Sequence, residues 1–169
     1  TRDRRLGLRY CEQRPCKLYL LTFNDEKLEC ISPKDEWSVK SPRFSPSKKQ
    51  LVYLTTGCIS EHRNCESLKL MDWETKKVST LVDIVKNPKE GEFPGIYCYH
   101  LKNYCWTEDE NFILLNSEWR CATTILAINT KDGKVLKIST FNNSQESISM
   151  LDHYKGYILA LQQSISKPY

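Results

Sequence analysis

Leu18-Tyr-Leu-Leu-Thr-Phe-Asn-Asp-Glu-Lys-Leu28 is written twice more in this chain, as Leu68-Lys-Leu-Met-Asp-Trp-Glu-Thr-Lys-Lys-Val78 and as Ile125-Leu-Ala-Ile-Asn-Thr-Lys-Asp-Gly-Lys-Val135. Each copy is an apolar run, a polar turn, then Lys and an aliphatic residue that opens a second run. The copies start 50 and then 57 positions apart. Strand-turn-strand units recurring at this spacing are the signature of β-propeller blades. Such a unit buries its faces only against its neighbours, so the repeat predicts an architecture of stacked blades.

A second repeated half supplies the other two strands. Phe44-Ser-Pro-Ser-Lys-Lys-Gln-Leu-Val-Tyr-Leu54 precedes the second copy, and Trp106-Thr-Glu-Asp-Glu-Asn-Phe-Ile-Leu-Leu-Asn116 precedes the third, 62 positions later. Ser45, Pro46 and Ser47, and likewise Thr107, Glu108 and Asp109, are residues that tight turns prefer. The runs Leu51-Val52-Tyr53 and Ile113-Leu114-Leu115 have the length and bias of buried strands. The expected fold is therefore all-β: a partial β-propeller of two nearly complete four-stranded blades with partial blades at both ends. Residues 1–33 read as the end of one blade, 34–86 and 87–141 as two blades, and 142–169 as the start of another, with Ile148-Ser-Met-Leu151, a turn at Lys155-Gly156 and Tyr157-Ile-Leu-Ala-Leu161 restarting the pattern. A propeller closes with roughly four to eight blades. This count, and the initial Thr, lead us to expect an internal piece of a longer protein.

Composition suits a globular β-protein. The chain has 169 residues, 40% of them hydrophobic and 27% charged, and 25 basic against 21 acidic side chains leave a net charge of +4. The basic cluster Arg2, Arg4, Arg5 and Arg9 reads as a solvated terminus, so no nucleic-acid partner is expected. No apolar run approaches the ~20 residues of a membrane span and no signal-peptide pattern is present, so no membrane partner is expected either.

The eight cysteines, at 11, 16, 30, 58, 65, 98, 105 and 121, contain no Cys-x-x-Cys, and no His completes a zinc set around Cys58, His62 and Cys65. They read as reduced thiols used as small apolar residues in a cytoplasmic protein; a secreted, disulfide-stapled β-domain is the competing reading. No metal and no cofactor is expected. Catalytic patterns are missing: there is no Gly-x-Ser-x-Gly elbow, no Gly-rich phosphate loop and no His-Glu-x-x-His. His62, His100 and His153 read as loop or packed histidines.

Phe93-Pro-Gly-Ile-Tyr-Cys-Tyr-His-Leu-Lys-Asn-Tyr-Cys-Trp106, then Asn116-Ser117, Arg120 and Ile125-Leu-Ala-Ile-Asn129, resembles the N-terminal propeller of the acylaminoacyl-peptidases, within the prolyl oligopeptidase family of serine peptidases. Leu6-Gly-Leu-Arg-Tyr-Cys11, Ser41-Pro-Arg-Phe-Ser-Pro46 and Leu51-Val-Tyr-Leu54 follow that family in the same order, so the resemblance spans roughly residues 6–165. It implies that the parent enzyme removes N-acylated, often N-acetylated, residues from blocked peptides with a Ser-His-Asp triad in a separate α/β-hydrolase domain. No triad residue has a counterpart here, so this segment is expected to be inactive alone and to gate substrate access. Implied partners are that catalytic domain, N-acylated peptides and further copies in a homo-oligomer. A stand-alone interaction module derived from a propeller is the alternative. Contacts in propellers concentrate in loops, which makes the connections Thr55–Asn64 and Lys86–Pro94 candidates, with His62, Arg63 and Arg120 as gating residues. Arg120 offers a bidentate fork for a peptide carboxylate. Trp37, Phe44, Trp73 and Trp106 are expected to pack between blades.

Overall fold

The computed structural model describes residues 15–56, 65–138 and 146–164, and for Trp37 the backbone alone. Every regular element there is a strand: β1 (Tyr19–Thr22), β2 (Lys27–Cys30), β3 (Trp37–Phe44), β4 (Gln50–Thr56), β5 (Ser67–Asp72), β6 (Val78–Val82), β7 (Phe112–Trp119), β8 (Ala122–Asn129), β9 (Val135–Ile138), β10 (Glu146–Tyr154) and β11 (Tyr157–Ser164). They form four antiparallel sheets in chain order: β1-β2, β3-β4-β5-β6, β7-β8-β9 and β10-β11. The chain is an all-β, open partial propeller. The second of the two expected four-stranded blades has three named strands. Its fourth place is taken by irregular backbone before β7, tied to that sheet by an isolated bridge between Trp106 and Ile113.

The repeats become identical turns. Glu26, Lys76 and Gly133, the ninth residue of each copy, all have left-handed backbone, with φ of 47°, 57° and 71°. The side chains of Asp72 and Asn129, also equivalent, accept backbone N–H groups of the turns they open. In the second repeated half, Ser45 and Thr107 make the same bonds: each N–H donates across the turn, to Gln50 and Phe112 respectively, and each hydroxyl accepts the returning N–H. Lys48 and Glu110 again share positive φ, 62° and 58°. The Asx and Ser/Thr side-chain bonds hold these turns with no glycine except Gly133.

Alternation along the strands divides the core into three layers. Val52 and Leu54 of β4, Leu68 and Leu70 of β5, Ile113 and Leu115 of β7, and Leu126 and Ile128 of β8 fill the seam between the first and second large sheets. Leu51, Tyr53 and Met71, on the opposite face, pack against Leu18 and Ile31 of the N-terminal hairpin region. Leu114, Ile125 and Ala127 pack against Met150, Ile148, Ile158 and Ala160 of β10-β11. Central strands buried on both faces explain why β4 and β8 read as continuous apolar runs. Of the four aromatics expected between blades, Trp106 lies in the first seam and Trp73 borders the N-terminal layer, with Phe44 edge-on to it at 4.7 Å.

Candidate functional site

Gly95-Ile96-Tyr97 enters the first seam under tight constraint. Gly95 has φ +106°, and a Cβ there would lie 2.3 Å from Cys65 Sγ; only glycine fits. Glu66 N–H donates to Ile96 O at 2.8 Å. Tyr97 N–H donates to Ser117 Oγ at 2.9 Å, and Glu118 N–H to Tyr97 O at 3.1 Å. At the far end, Leu114 N–H donates to Cys105 O at 2.6 Å. Between these anchors the segment has seven residues where β7 has three, so residues 98–104 bulge away from β7 and toward the first large sheet.

Two cations of β3 hold that bulge. Arg43 donates from Nη2 to Leu101 O at 2.7 Å and from Nε to Lys102 O at 3.2 Å. Lys40 donates to Cys98 O at 3.4 Å and forms an ion pair with Glu66, whose side chain is 1% exposed. Trp106 Nε1 donates back to Arg43 O at 3.2 Å. Both cations face the same way because β3 slips register twice: Trp37, Lys40 and Arg43 pair with Thr56, Leu54 and Val52. Each slip sets three residues of β3 against two of β4, with Ser38 and Ser41 at φ 53° and 54°. Two bulges in one strand re-aim Lys40 and Arg43 into the seam. Buried carbonyls that a regular strand would have paired are thus satisfied by charge-assisted bonds. Leu101 fills the middle, fully buried, and burial pushes the Cys105 thiol up to about 12.

The second seam is different. Between the sheet β7-β8-β9 and the hairpin β10-β11 lies a cavity of about 440 Å³. Phe112, Leu114, Ala127, Leu136, Ile138 and Ile158 make its apolar floor, and Glu108, Asp109, His153 and Lys155 stand at its mouth. His153 Nε2 donates to Tyr104 O at 2.6 Å, and Lys155 N–H donates to Glu108 at 3.3 Å. Hydrogen bonds from the Thr107 hydroxyl and from Asn111 hold the Asp109 carboxyl down at about 2.

Of the residues singled out by sequence, Arg120 sits exposed in the β7–β8 turn with φ 59°. Its Nη2 donates to Lys89 O at 3.2 Å, and the neighbouring Trp119 meets Phe93 in a tilted ring pair with centroids 5.7 Å apart. Arg120 therefore meets the connection Lys86–Pro94, the other sequence candidate. His62 and Arg63 lie outside the described residues, and Thr55 and Thr56, read as loop, end strand β4. Sequence reading missed Lys40, Arg43 and Glu66; the one available signal was the Ser41-Pro-Arg-Phe-Ser-Pro46 stretch that carries Arg43. Among the described residues no group of three or more His, Cys, Asp or Glu is placed to hold a metal ion, and no helix is long and apolar enough to cross a membrane.

The family described as acylamino-acid-releasing enzyme, N-terminal domain, matches residues 1–168. The acylamino-acid-releasing enzyme of Rattus norvegicus is 36% identical over 164 residues, 97% of this chain and 22% of that protein. The Homo sapiens enzyme is 36% identical over 80% of this chain and 18% of its own length, and acylamino-acid-releasing enzyme 2 of Oryza sativa subsp. japonica is 32% identical over 98% and 25%. The chain thus spans about a fifth to a quarter of these relatives. Among solved structures, TolB from Acinetobacter baumannii superposes with a TM-score of 0.52 at 13% identity, covering 88% of this chain and 35% of TolB. That likeness concerns the propeller fold alone.

Proposed function

Because the chain belongs to the acylamino-acid-releasing enzyme N-terminal domain family, we propose that it is the non-catalytic propeller segment of a serine peptidase that releases N-acylated amino acids from blocked peptides. The Ser-His-Asp chemistry would come from an α/β-hydrolase domain outside these residues, and this segment would control which peptides reach it. The observation that carries the reading is the sealed first seam. Its side chains are buried, and Lys40, Arg43 and Trp106 tie the two sheets through backbone carbonyls. Because the carbonyls of residues 98, 101 and 102 already accept bonds from Lys40 and Arg43, this wall offers an extended peptide few acceptors to exchange, which would keep peptides from slipping between these blades. A cytoplasmic setting fits the cysteines: among the described residues no disulfide joins any of the six.

Two measurements test this. The 169-residue chain alone should not hydrolyse acetyl-alanine p-nitroanilide, and turnover above a buffer control would count against a purely gating role. In a full-length enzyme carrying this segment, Arg43→Ala should raise kcat/KM for long acetylated peptides several-fold relative to an acetylated dipeptide. An unchanged ratio, with hydrogen exchange showing the 98–104 bulge loosened, would sink the gating reading.

A further inference from the structure

Three backbone carbonyls converge on one ammonium at the entry to β3. Lys17 Nζ donates to Pro33 O at 2.8 Å, to Lys34 O at 2.9 Å and to Glu36 O. All three acceptors belong to a single β-turn, closed by the Glu36 N–H donating to Pro33 O at 3.3 Å. Four consecutive residues thus aim three of their oxygens at one point. A concave set of carbonyls is the means by which proteins replace the hydration shell of a monovalent cation.

This cage is fixed by bonds in which the ammonium takes no part. On one side of Lys17, Val39 N–H donates to Cys16 O at 3.2 Å. On the other, Ile31 N–H donates to Leu18 O at 2.9 Å, and Leu18 N–H to Ser32 Oγ at 3.1 Å. Residues 16–18 are therefore tied both to residues 31–32, before the turn, and to residue 39, after it. The end of the turn is anchored as well: Tyr53, fully buried in β4, donates its hydroxyl to the Glu36 carboxyl at 2.8 Å. Asp35 and Glu36 also make the turn acidic, which favours a positive charge among its oxygens. Loss of the Lys17 charge would leave the three oxygens where they are.

We propose that the carbonyls of Pro33, Lys34 and Glu36 form a monovalent-cation site, which Lys17 occupies as a tethered cation and which takes free potassium when that charge is removed. An alkylammonium head and a potassium ion carry the same charge, have nearly the same radius and suit the same neutral oxygens. A divalent ion is a poorer match. Calcium and magnesium draw on carboxylates to offset their second charge, and the Glu36 carboxyl is engaged by Tyr53. Tethering makes the turn independent of the ions in solution, so the N-terminal hairpin region stays joined to β3 at any potassium concentration. The inference goes beyond the peptidase reading and does not depend on it.

Thermal melts of the 169-residue chain in potassium chloride and in choline chloride, at equal ionic strength, test this. Choline is too large to enter the cage, so it supplies the charge without the fit. The parent chain should melt at the same temperature in both salts. Lys17→Met keeps an apolar stem of similar length but no charge. It should melt about 5 °C lower in choline chloride and recover most of that loss in potassium chloride. If the variant is unfolded in choline chloride, circular dichroism on adding potassium chloride reads the same equilibrium, and recovery of the parent spectrum supports the site. A Lys17→Met chain that responds identically to the two salts, folded or unfolded, would overturn the proposal. So would a parent chain as sensitive to potassium as the variant, since the ion would then be acting elsewhere.

Discussion

The two seams of the molecule use equivalent strands and reach different ends. In the first, buried side chains of β4, β5, β7 and β8 form one continuous cluster with Ile96, Cys98, Leu101, Cys105 and Trp106 of the segment that precedes β7. In the second, β10-β11 covers only part of the sheet β7-β8-β9, leaving a cavity of about 440 Å³ with an apolar floor. Sequence similarity between the copies therefore does not set how well a seam is packed. The neighbour does, as expected for a structure whose units are stabilised pairwise. Closure of the first seam also depends on something outside the repeat: two bulges in β3 that bring Lys40 and Arg43 to the carbonyls of residues 98, 101 and 102.

The sharpest way to break this contrast is to truncate one buried side chain in each seam. Trp106 and Met150 are 5% and 1% exposed, so burial alone would rank them together. Trp106→Ala removes an aromatic from a closed core and also the donor to Arg43 O; it should cost about 4 kcal/mol. Met150 packs with Leu114 and Ala127, which themselves line the cavity and so have fewer contacts to lose; Met150→Ala should cost about 2 kcal/mol. Urea denaturation of both variants at the same dilute concentration checks the order. Equal losses would mean that the second seam is as well packed as the first.

A pair of glycines sharpens the comparison at lower cost. Gly133 and Gly156 both have left-handed backbone, φ +71° and +81°. A Cβ at Gly133 would lie 2.0 Å from Leu81 O, across the first seam, whereas at Gly156, on the rim of the second, it would meet nothing within 4 Å. Gly156→Ala should cost about 1 kcal/mol, the backbone penalty alone. Gly133→Ala carries the same penalty plus displacement of β6, and should cost about 3 kcal/mol. Thermal melts of the two variants decide; similar shifts would show that the turn at 133 does not press on β6.

Most of the fold was legible because the determinants are local. The three copies, and the paired Phe44 and Trp106 halves, encode their turns in adjacent residues, and the same backbone conformations recur at Glu26, Lys76 and Gly133. Apolar runs buried on both faces announced central strands. The rest depended on pairings between distant residues. Arg43 meets Leu101 and Lys102 58 and 59 positions away, and the Ser41-Pro-Arg-Phe-Ser-Pro46 stretch around it marks a turn without showing which carbonyls the guanidinium meets. Lys40 is aimed by a register slip that no composition reveals. The cavity is the absence of cover, which has no residue signature at all. Gly95 and the cysteines around it were visible as a distinctive stretch, but their part in the seam appears only once Cys65 is seen against Gly95.

The smallest expected effect compares one turn across the two halves. Ser47 and Asp109 occupy the same position, 62 residues apart. Ser47 is neutral and its hydroxyl donates to Glu110 of the neighbouring sheet at 3.0 Å. Asp109 stands at the mouth of the cavity and bonds within its own turn, to Thr107 and Asn111. Those bonds, the Thr107 hydroxyl first, favour the carboxylate and lower its titration from 3.8 to about 2. A group with a depressed folded-state value stabilises above the unfolded value, so its contribution is complete above pH 4 and disappears as pH falls through 2. Asp109→Ser should therefore lower the Tm slightly at pH 7, and the gap to the parent chain should shrink between pH 4 and pH 2. Although the group is solvent-exposed, its partners are neutral donors at hydrogen-bond distance, well inside a Debye length, so the gap should persist in salt. A gap that stays constant on acidification would mean that the two turns are held by their backbone alone, and that the charge at the cavity mouth does nothing for the second seam.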